Sequence, residues 1–580
     1  MQGGDTLIIK DGTYSGSANK IWQWMYPPFG TANDYTVIEA ENPGSVTFTT
    51  SAPLDMQNFP QNNAADPLRY IRFEGLKWVG STTLFGAEFI KFVRCAFEGD
   101  MPDGNTWTFA MLYSKKVLME DTVAFGKGRY KYLAYKSKKL IFRRAIARND
   151  YANKNAPGSD PIAPFAIYYS TNVQVQNSMV IDSDAPQFWD PIPTEVAGAF
   201  YTPNGARDVK LRGCIALNNA MSGYTGVSSE LLIDNSVFWG CISGPGTKFG
   251  ASEIANHITV GGLVTPASMG MSVGQTNAAQ FIPPGRGTES QQGGFDVGNS
   301  IIMDCFDLGI GSDSVGKNAL WNNNNNGNTV ASDVTLVNPE ANSLKHLPRI
   351  EAGSALSGQA SDGGDVGANV LKKIGVSGTI WGETGYDSVT SHDLWPWPNE
   401  EWVKAELGGY NAGGGDTSIP RGDRGFAAYV SPFGSPNTLS SYIWEYLGTK
   451  IPDGIYPTPD PDADTDGMDD AWEALYGGDL APGDDDDGDG HTNIEEFQAG
   501  TDPTDPSDVL RIMDLTQSGQ TRTFSYLSVD QKQYSLECLT GSLVNTNWSP
   551  IQSLTGDGGT QTMQHVVSPT VQAYYRLRVQ

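Results

Sequence analysis

A degenerate repeat runs through the first 370 residues and constrains the fold more than any other feature of this sequence. Each copy is a short apolar run, a turn residue, a small residue and a second apolar run. The turn residues are Gly75, Arg94, Asp121, Arg144, Asn177, Gly213, Asn235 and Asn299. Six of these eight are Gly, Asn or Asp, the types that best tolerate a left-handed backbone. The repeat therefore predicts short strands separated by sharp turns.

The residues after these turns suggest how successive copies stack. They are Leu76, Cys95, Thr122, Ala145, Ser178, Cys214, Ser236 and Ser300, mostly small enough to line a narrow tube. An upstream strand places Leu112, Tyr135 and Tyr168 nine residues before their turns, and Tyr201 aligns with them if its coil carries an insertion. We therefore expect a right-handed parallel β-helix over residues 1–370, each coil burying its apolar face against its neighbours. A β-propeller is the rival fold, but it needs antiparallel hairpins with a more even period.

Three further segments follow the repeat. Residues 371–456 are rich in Trp and Pro, and we expect them to pack against or cap the β-helix, whose open end would expose strand edges. Residues 457–508 are strongly acidic, and residues 509–580 alternate apolar and polar side chains over short runs. The alternation predicts a small antiparallel β-sandwich, so the whole chain is expected to be all-β.

Charge and composition exclude several classes of partner. The formal net charge of −28 argues against nucleic acid, whose phosphates must be met by Lys and Arg. No run of 18 apolar residues is present, so no membrane span is expected. The five Cys residues are widely spaced and form no metal-binding pattern, which predicts buried free thiols.

Two twelve-residue acidic loops, 23 residues apart, fit the pattern D-x-D-x-D-G-x5-E. This spacing supplies the oxygen ligands that Ca2+ needs, with Gly at the sixth position allowing the sharp bend. We therefore predict two calcium sites, with position seven contributing its backbone carbonyl. The first set is Asp462, Asp464, Asp466, Met468, Asp470 and Glu473. The second set is Asp485, Asp487, Asp489, His491, Asn493 and Glu496.

Residues 127–154 form the sharpest charge contrast in this acidic chain. The segment contains ten cations: Lys127, Arg129, Lys131, Lys136, Lys138, Lys139, Arg143, Arg144, Arg148 and Lys154. It covers about one coil, so its outward side chains should form a basic stripe beside Tyr113, Tyr135, Tyr168 and Tyr169. Basic groups with aromatic platforms suit an acidic polysaccharide. A solvated face whose charges pair with neighbouring carboxylates remains the alternative.

Two segments that bracket the repeat carry a resemblance to a known family. Gly4-Asp5-Thr6 with Asp11-Gly12-Thr13-Tyr14 resembles the opening coil of pectate-lyase-like β-helix proteins, and the stretch from Gly353 to Ala368 resembles their closing coil. The acidic segment is similar to bacterial thrombospondin-type-3 and dockerin-like calcium modules. Calcium modules of modest affinity suit the millimolar calcium outside cells, so we expect a secreted or cell-surface protein.

The resemblance implies a polysaccharide lyase, in which Arg or Lys removes the proton beside a neutralised uronate carboxylate. On this reading Lys136, Arg143, Arg144 and Arg148 are the catalytic candidates, with Lys131 and Lys139 as carboxylate binders. The Arg-x-Pro-x-x-Arg pattern of pectate lyases is missing.

Two alternatives remain open at this stage. One is a non-catalytic extracellular structural protein, such as an adhesin, surface-layer component or fibre subunit, in which β-helices stack end to end. The other is a glycoside hydrolase that uses Asp182 and Asp184 as its paired carboxylates.

Overall fold

The computed structural model describes most of the chain. The described residues are 1–22, 27–51, 53–57, 68–100, 105–150, 163–183, 198–203, 205–226, 229–241, 243–247, 253–262, 289–290, 295–302, 319–321, 335–336, 343–410, 422–456, 466–468, 470–473, 476, 480–529, 532–541, 547–557, 559–568 and 570–579. The chain divides into two compact units, Met1–Ile455 and Tyr456–Gln580.

Three long sheets build the first unit, and we name them A, B and C in the order in which each coil visits them. Within the described residues, sheet A contains Thr6–Ile9, Thr36–Ala40, Leu68–Glu74, Ala87–Val93, Lys115–Glu120, Lys138–Arg143, Thr171–Gln176, Arg207–Arg212, Ser229–Asp234, Glu253–Asn256 and Phe295–Gly298. Sheet B contains Gly12–Tyr14, Val46–Phe48, Leu76–Val79, Ala96–Gly99, Val123–Gly126, Ile146–Ala147, Met179–Ile181, Ile215–Leu217, Val237–Trp239, Thr259–Gly261, Ser300–Ile302 and Ala319–Trp321. Sheet C contains Ile21–Trp22, Leu54–Gln57, Thr82–Phe85, Trp107–Leu112, Tyr130–Tyr135, Ala163–Tyr168, Gly198–Thr202, Ser222–Gly226, Ser243–Thr247 and Glu289–Ser290.

Strand pairing shows that this unit is a parallel β-helix. Each strand pairs in parallel with the strand at the same place in the next coil, and the last strand of sheet B is the antiparallel exception. Leu112 pairs with Tyr135, which pairs with Tyr168, so the predicted register of these three coils is confirmed. The predicted alignment of Tyr201 with Tyr168 is wrong by two residues, because Tyr201 lies opposite Ala166.

The predicted turn residues after sheet A are confirmed by their backbone angles. All eight have positive φ, from 46° at Asn299 to 69° at Gly75. His257, with φ of 51°, occupies the same place in a coil that the sequence pattern did not reveal. One left-handed residue at each corner turns the chain from sheet A into sheet B without a longer loop.

The interior of the β-helix is apolar and closely packed. The small residues that follow the turns are buried, as the pattern predicted. At the corner between sheets C and A, the hydroxyls of Ser114, Ser137 and Ser170 accept hydrogen bonds from the backbone N–H groups of the preceding coils. The four described cysteines, Cys95, Cys214, Cys241 and Cys538, are buried free thiols, and Cys305 lies outside the described residues.

The segment after the β-helix packs along its flank. A parallel strand pair, Thr335–Leu336 with Ser343–Leu344, precedes an antiparallel pair, Lys372–Ile374 with Val389–Asp393. Helices α1 (Glu400–Gly409) and α2 (Leu439–Trp444) follow, and 3-10 turns occur at Ser17–Asn19 and Gly425–Ala428. Ile380 packs on Leu118 and Ile141 of sheet A. The Tyr410 ring lies 5.8 Å from that of Phe125 in sheet B. We name residues 371–456 the extension, and it therefore covers outer surface on sheets A and B.

The second unit combines the acidic segment with a β-sandwich. Helices α3 (Asp470–Glu473) and α4 (Asn493–Ala499) precede two antiparallel sheets of three described strands each. One sheet contains Ile512–Ser518, Thr521–Leu527 and Thr560–Val566, and the other contains Ser549–Thr555, Gln533–Thr540 and Ala573–Val579. The helices of the described residues are all too short or too polar to cross a membrane.

The left-handed turns give a direct test of the coil geometry. Gly213 has φ of 64°, and a Cβ atom there would lie 2.6 Å from Nδ2 of Asn177. The substitution Gly213→Ala should therefore destabilise the first unit by about 1–2 kcal/mol from backbone strain, with a further cost from this contact. Urea unfolding of the full chain measures the loss. As a control, Gly409→Ala adds a methyl group in open space and should be nearly neutral; equal losses for the two variants would contradict the turn assignment.

Candidate functional site

Two of the predicted catalytic arginines are buried in ion pairs rather than presented to solvent. Arg143 is fully buried, and its guanidinium donates to the backbone carbonyls of Val376 and Tyr386 at 2.8 and 2.9 Å and pairs with Glu120 at 3.3 Å. Arg144 pairs with Glu120 at 2.7 Å and Asp121 at 2.6 Å. Burial opposes ionisation of Glu120, but Arg143 and Arg144 hold the pKa of Glu120 below its ordinary value.

Arg148 and Lys131 are also fully buried. Arg148 donates to the backbone carbonyls of Leu407 and Gly422 at 2.8 and 2.9 Å and pairs with Asp150 at 2.8 Å. Burial lowers the pKa of Lys131 to about 7, and its ammonium donates to the carbonyls of Lys127 and Gly128.

These contacts correct the sequence prediction. Arg143, Arg144 and Arg148 cannot touch a polysaccharide from inside the protein, and neither can Lys131. Instead, Arg143 and Arg148 attach the extension to the β-helix. Their guanidinium groups lie between the β-helix and the extension, where they donate to backbone carbonyls of the extension. We name these two arginines, with Glu120 and Asp150, the arginine clamp.

The corner between sheets C and A presents the predicted tyrosines. Tyr113 and Tyr169 are each 47% exposed, and both occupy left-handed positions at the end of a sheet C strand. Lys136 occupies that position in the coil between them. Its ammonium lies 5.5 Å from the centre of the Tyr113 ring and 5.2 Å from that of Tyr135. We name the exposed Tyr113, Lys136 and Tyr169, together with the partly buried Tyr135, the tyrosine–lysine corner.

Electrostatics at this corner keep the lysine charged. Hydrogen bonds to the hydroxyls of Tyr113 and Tyr135 raise the pKa of Lys136. Lys138 is exposed and Lys139 is partly buried on the adjoining end of sheet A. Tyr168 lies on the outer face of sheet C, where its hydroxyl hydrogen-bonds that of Tyr130 at 2.9 Å. Lys154 lies outside the described residues.

Sheet A carries a pair of cations that the sequence analysis missed. Lys91 and Arg72 lie directly opposite each other on neighbouring strands, so their side chains share the outer face. The Lys91 ammonium lies 4.4 Å from the centre of the Tyr35 ring, and no ion pair joins it to a carboxylate of the described chain. Arg72 pairs with Glu74. Its Nε is buried, and the N–H there donates to no acceptor in the described residues.

The surroundings of Lys91 make its amine easier to deprotonate than an ordinary lysine. Burial lowers the pKa of Lys91, and the charge of Arg72 adds to this, while Glu383 of the extension opposes it. Phe89, two residues earlier on the same strand, contacts Lys116 with 4.8 Å between the ammonium and the ring centre. Lys116 follows Tyr113 after two residues of chain, so its contact with Phe89 links the strand of Lys91 to the tyrosine–lysine corner. The sequence around Lys91 does not mark it, because its burial and its lack of a carboxylate partner depend on residues of neighbouring coils.

The second acidic loop brings its predicted oxygens together. Ligand atoms of Asp485, Asp487 and Asp489 lie within 4.8 Å of one another. In Asp487 and Asp489, one carboxylate oxygen accepts a backbone N–H of the loop, at 3.1 and 2.8 Å respectively. The other carboxylate oxygen of each is buried and accepts no hydrogen bond from the described residues.

Two residues of α4 complete this set. Oδ1 of Asn493 and Oε2 of Glu496 are also buried without a hydrogen-bond partner in the described chain. Burial, followed by repulsion from Asp487, raises the pKa of Glu496 to about 7. The four orphaned buried oxygens, two of which belong to the clustered carboxylates of Asp487 and Asp489, are a donor set that suits a hard cation such as Ca2+.

The first acidic loop is described only in part. Asp466 accepts the N–H of Met468 at 2.9 Å, and Glu473 is buried and accepts the N–H of Leu480 at 2.8 Å. Asp462 and Asp464 lie outside the described residues, and the side chain of Asp470 is not described. The two loops adjoin, since the ring centres of Trp472 and Phe497 are 5.2 Å apart.

Asp182, the candidate for a hydrolytic pair, is used internally. It is buried and accepts hydrogen bonds from Asn218, the hydroxyl of Tyr442 and the N–H of Phe426, each at 2.7 Å. Asp184 lies outside the described residues. Asp182 therefore joins the extension to the β-helix, as the arginine clamp does.

Comparison with known proteins adds likenesses of fold. No protein-family model and no curated protein sequence matches this chain. A protein of Geobacillus virus E2 is similar at 10% identity and a TM-score of 0.25, over 53% of this chain and 54% of its own. The pectate lyase Pel9A is similar at 13% identity and a TM-score of 0.31, over 63% of this chain and 88% of its own.

A third solved structure is a mannuronic acid-specific family 6 polysaccharide lyase from human gut microbiota. It is similar at 12% identity and a TM-score of 0.29, over 55% of this chain and 74% of its own. At these identities and TM-scores the likenesses bear on neither substrate nor reaction.

The arginine clamp predicts a large loss of stability when it is broken. The substitution Arg143→Met leaves Glu120 buried with one partner fewer and leaves two extension carbonyls unbonded, so the first unit should lose about 3–5 kcal/mol. Denaturant unfolding of the full chain measures this. Lys372→Met removes a surface ion pair with Asp393 within the same extension and should cost about 1 kcal/mol or less. A loss from Arg143→Met as small as this control would contradict the clamp.

Proposed function

We propose that this chain is a secreted, calcium-binding β-helix protein that binds an acidic polysaccharide at the tyrosine–lysine corner and cleaves it by β-elimination. One observation carries the proposal: Lys91, an amine with a lowered pKa, stands beside Arg72 on the outer face of sheet A, the sheet that begins at the corner of exposed tyrosines and lysines. The first group suits proton removal, and the second suits the binding of a charged sugar chain.

The proposed binding depends on the spacing of the aromatic rings and the lysine charge along the corner. Successive coils lie about 4.8 Å apart, so Tyr113 and Tyr169 stand about 10 Å apart along the β-helix with Lys136 between them. Their exposed rings offer stacking surfaces to sugars, while the protonated Lys136 attracts a uronate carboxylate. Lys138 and Lys139 extend the positive surface toward sheet A.

The chemical step needs a base and a cation beside it. The neutral amine of Lys91 takes the proton from the carbon next to the uronate carboxylate. The released electron pair forms a carbon–carbon double bond as the bond to the leaving glycosidic oxygen breaks, and that oxygen takes a proton from water. Charge that builds up on the carboxylate is stabilised by the neighbouring guanidinium of Arg72.

We further propose that the acidic loops hold Ca2+. In the second loop the ligands are Asp485, Asp487, Asp489, Asn493 and Glu496, with the backbone carbonyl of His491. In the first loop, the described side chains of Asp466 and Glu473 and the backbone carbonyl of Met468 belong to the same pattern. The ion would offset repulsion among the carboxylates and so stabilise the second unit, as expected for a protein outside the cell.

Substitution of Lys91 tests the reaction. On alginate or pectate, unsaturated products should be detected by absorbance near 235 nm, and Lys91→Met should lower kcat by about 10^2–10^4-fold because the base is lost. For the parent protein, kcat should rise with pH through the pKa of Lys91, below the ordinary lysine value of about 10.4. Lys136→Ala should instead raise KM by roughly five-fold.

The control for both variants is Lys450→Ala, which removes a lysine that is 60% exposed on the same unit. Its kinetics should match those of the parent. Binding of the polysaccharide without unsaturated products would overturn the lyase and favour a non-catalytic extracellular binding protein. Absence of binding as well would overturn the whole proposal.

Chelation tests the calcium sites. In scanning calorimetry of the full chain, excess EGTA should lower the melting temperature of the second unit by about 10 °C, the effect expected from an ion present at about 100 times its Kd. Asp487→Asn should weaken calcium binding measured by titration calorimetry, because it removes one carboxylate from the cluster. Asp514→Asn makes the same charge change on the exposed face of the sandwich and should leave the affinity unchanged. An identical melt with and without EGTA would exclude a structural ion.

A further inference from the structure

The first strand of the sandwich has an unpaired edge. Ile512–Ser518 pairs with Thr521–Leu527 on one side, and within the described residues it has no strand on the other. Every residue from Met513 to Ser518 is exposed. An exposed strand edge presents a row of backbone donors and acceptors that another strand can pair with.

The inner face of this strand carries an exposed apolar side chain, Leu515, beside the core of the sandwich. Leu515 pairs with Phe524, which pairs with Met563, so the three side chains share the inner face of their sheet. Phe524 and Met563 are 2% and 0% exposed, whereas Leu515 is 54% exposed. The facing sheet therefore covers Phe524 and Met563 on the other two strands and leaves Leu515 uncovered.

We propose that two copies of this chain associate through this strand, antiparallel about a two-fold axis at Leu515. Such a contact is self-complementary, as closed dimers require, and it joins the two three-stranded sheets into one. Leu515 would then pack against Leu515 of the second copy, which extends both cores into a shared apolar layer.

Charge and apolar pairing together select this register over its two neighbours. With the axis at Thr516, Leu515 would face Gln517 of the second copy and would lack an apolar partner. With the axis at Leu515, the single carboxylate of the strand, Asp514, faces the hydroxyl of Thr516 of the second copy. With the axis at Asp514, two carboxylates would face each other, an arrangement that destabilises a sheet. A bulge lies between Ile512 and Asp514, so the regular part of the edge, Asp514–Ser518, is short. A contact of this length is small, and we expect weak, concentration-dependent association. It does not depend on the proposed reaction, which uses residues of the first unit alone.

Light scattering after gel filtration of the full chain, in calcium buffer over a range of concentrations, tests the proposal. The parent protein should shift from monomer toward dimer as the concentration rises, and Leu515→Lys should remove the shift by placing like charges at the axis. Leu527→Lys is the matched control, since Leu527 is 53% exposed in the same sheet but on its outer face. This control should dimerise as the parent does.

A cysteine at the axis gives a second test. Antiparallel partners have Cα atoms about 4.5–5.5 Å apart, within the range that a disulfide spans. Mild oxidation of Leu515→Cys should therefore yield a covalent dimer on non-reducing gels, and Leu527→Cys should not. A parent that stays monomeric at all concentrations, a Leu515→Lys variant that still dimerises, or equal cross-linking of both cysteine variants would overturn the proposal.

Discussion

The cost of burying a guanidinium shapes this molecule more than any other single constraint. A charged group removed from water is tolerated only where carboxylates and carbonyls surround it. Arg143 and Arg148 meet this condition because the extension brings the carbonyls of Val376, Tyr386, Leu407 and Gly422 to them. The β-helix and the extension are therefore interdependent: the arginines need the carbonyls, and the extension is attached through the arginines.

This attachment decides which surface is available to a ligand. The extension occupies outer surface on sheets A and B, and the tyrosines and lysines at the corner of sheets C and A remain exposed. Lys91 lies on the outer face of sheet A, near enough to the extension for Glu383 to influence its pKa. The proposed division of labour follows from this placement. A fully hydrated lysine such as Lys136 binds charge well but is a poor base at neutral pH, whereas a half-buried one can release its proton.

The coil architecture could be predicted because its cause is local. A turn of one residue requires a left-handed backbone, and Gly, Asn and Asp at those places are visible in the chain. The functional residues were harder to predict, because burial depends on what packs over a strand from distant sequence. Arg143 and Lys136 look alike in a charge count, yet one meets the extension and the other meets water. Lys91 carries no local mark, since its neighbour Arg72 belongs to another coil.

The sequence by itself determined the repeating coils, the left-handed turns and the spacing of oxygens in the second acidic loop. Each of these depends on residues a few positions apart, so short-range geometry suffices. Only the tertiary structure decided which cations reach the surface, which become structural, and which amine has a lowered pKa. These properties depend on dehydration and on charges from other coils and from the extension, and sequence distance does not measure either of them.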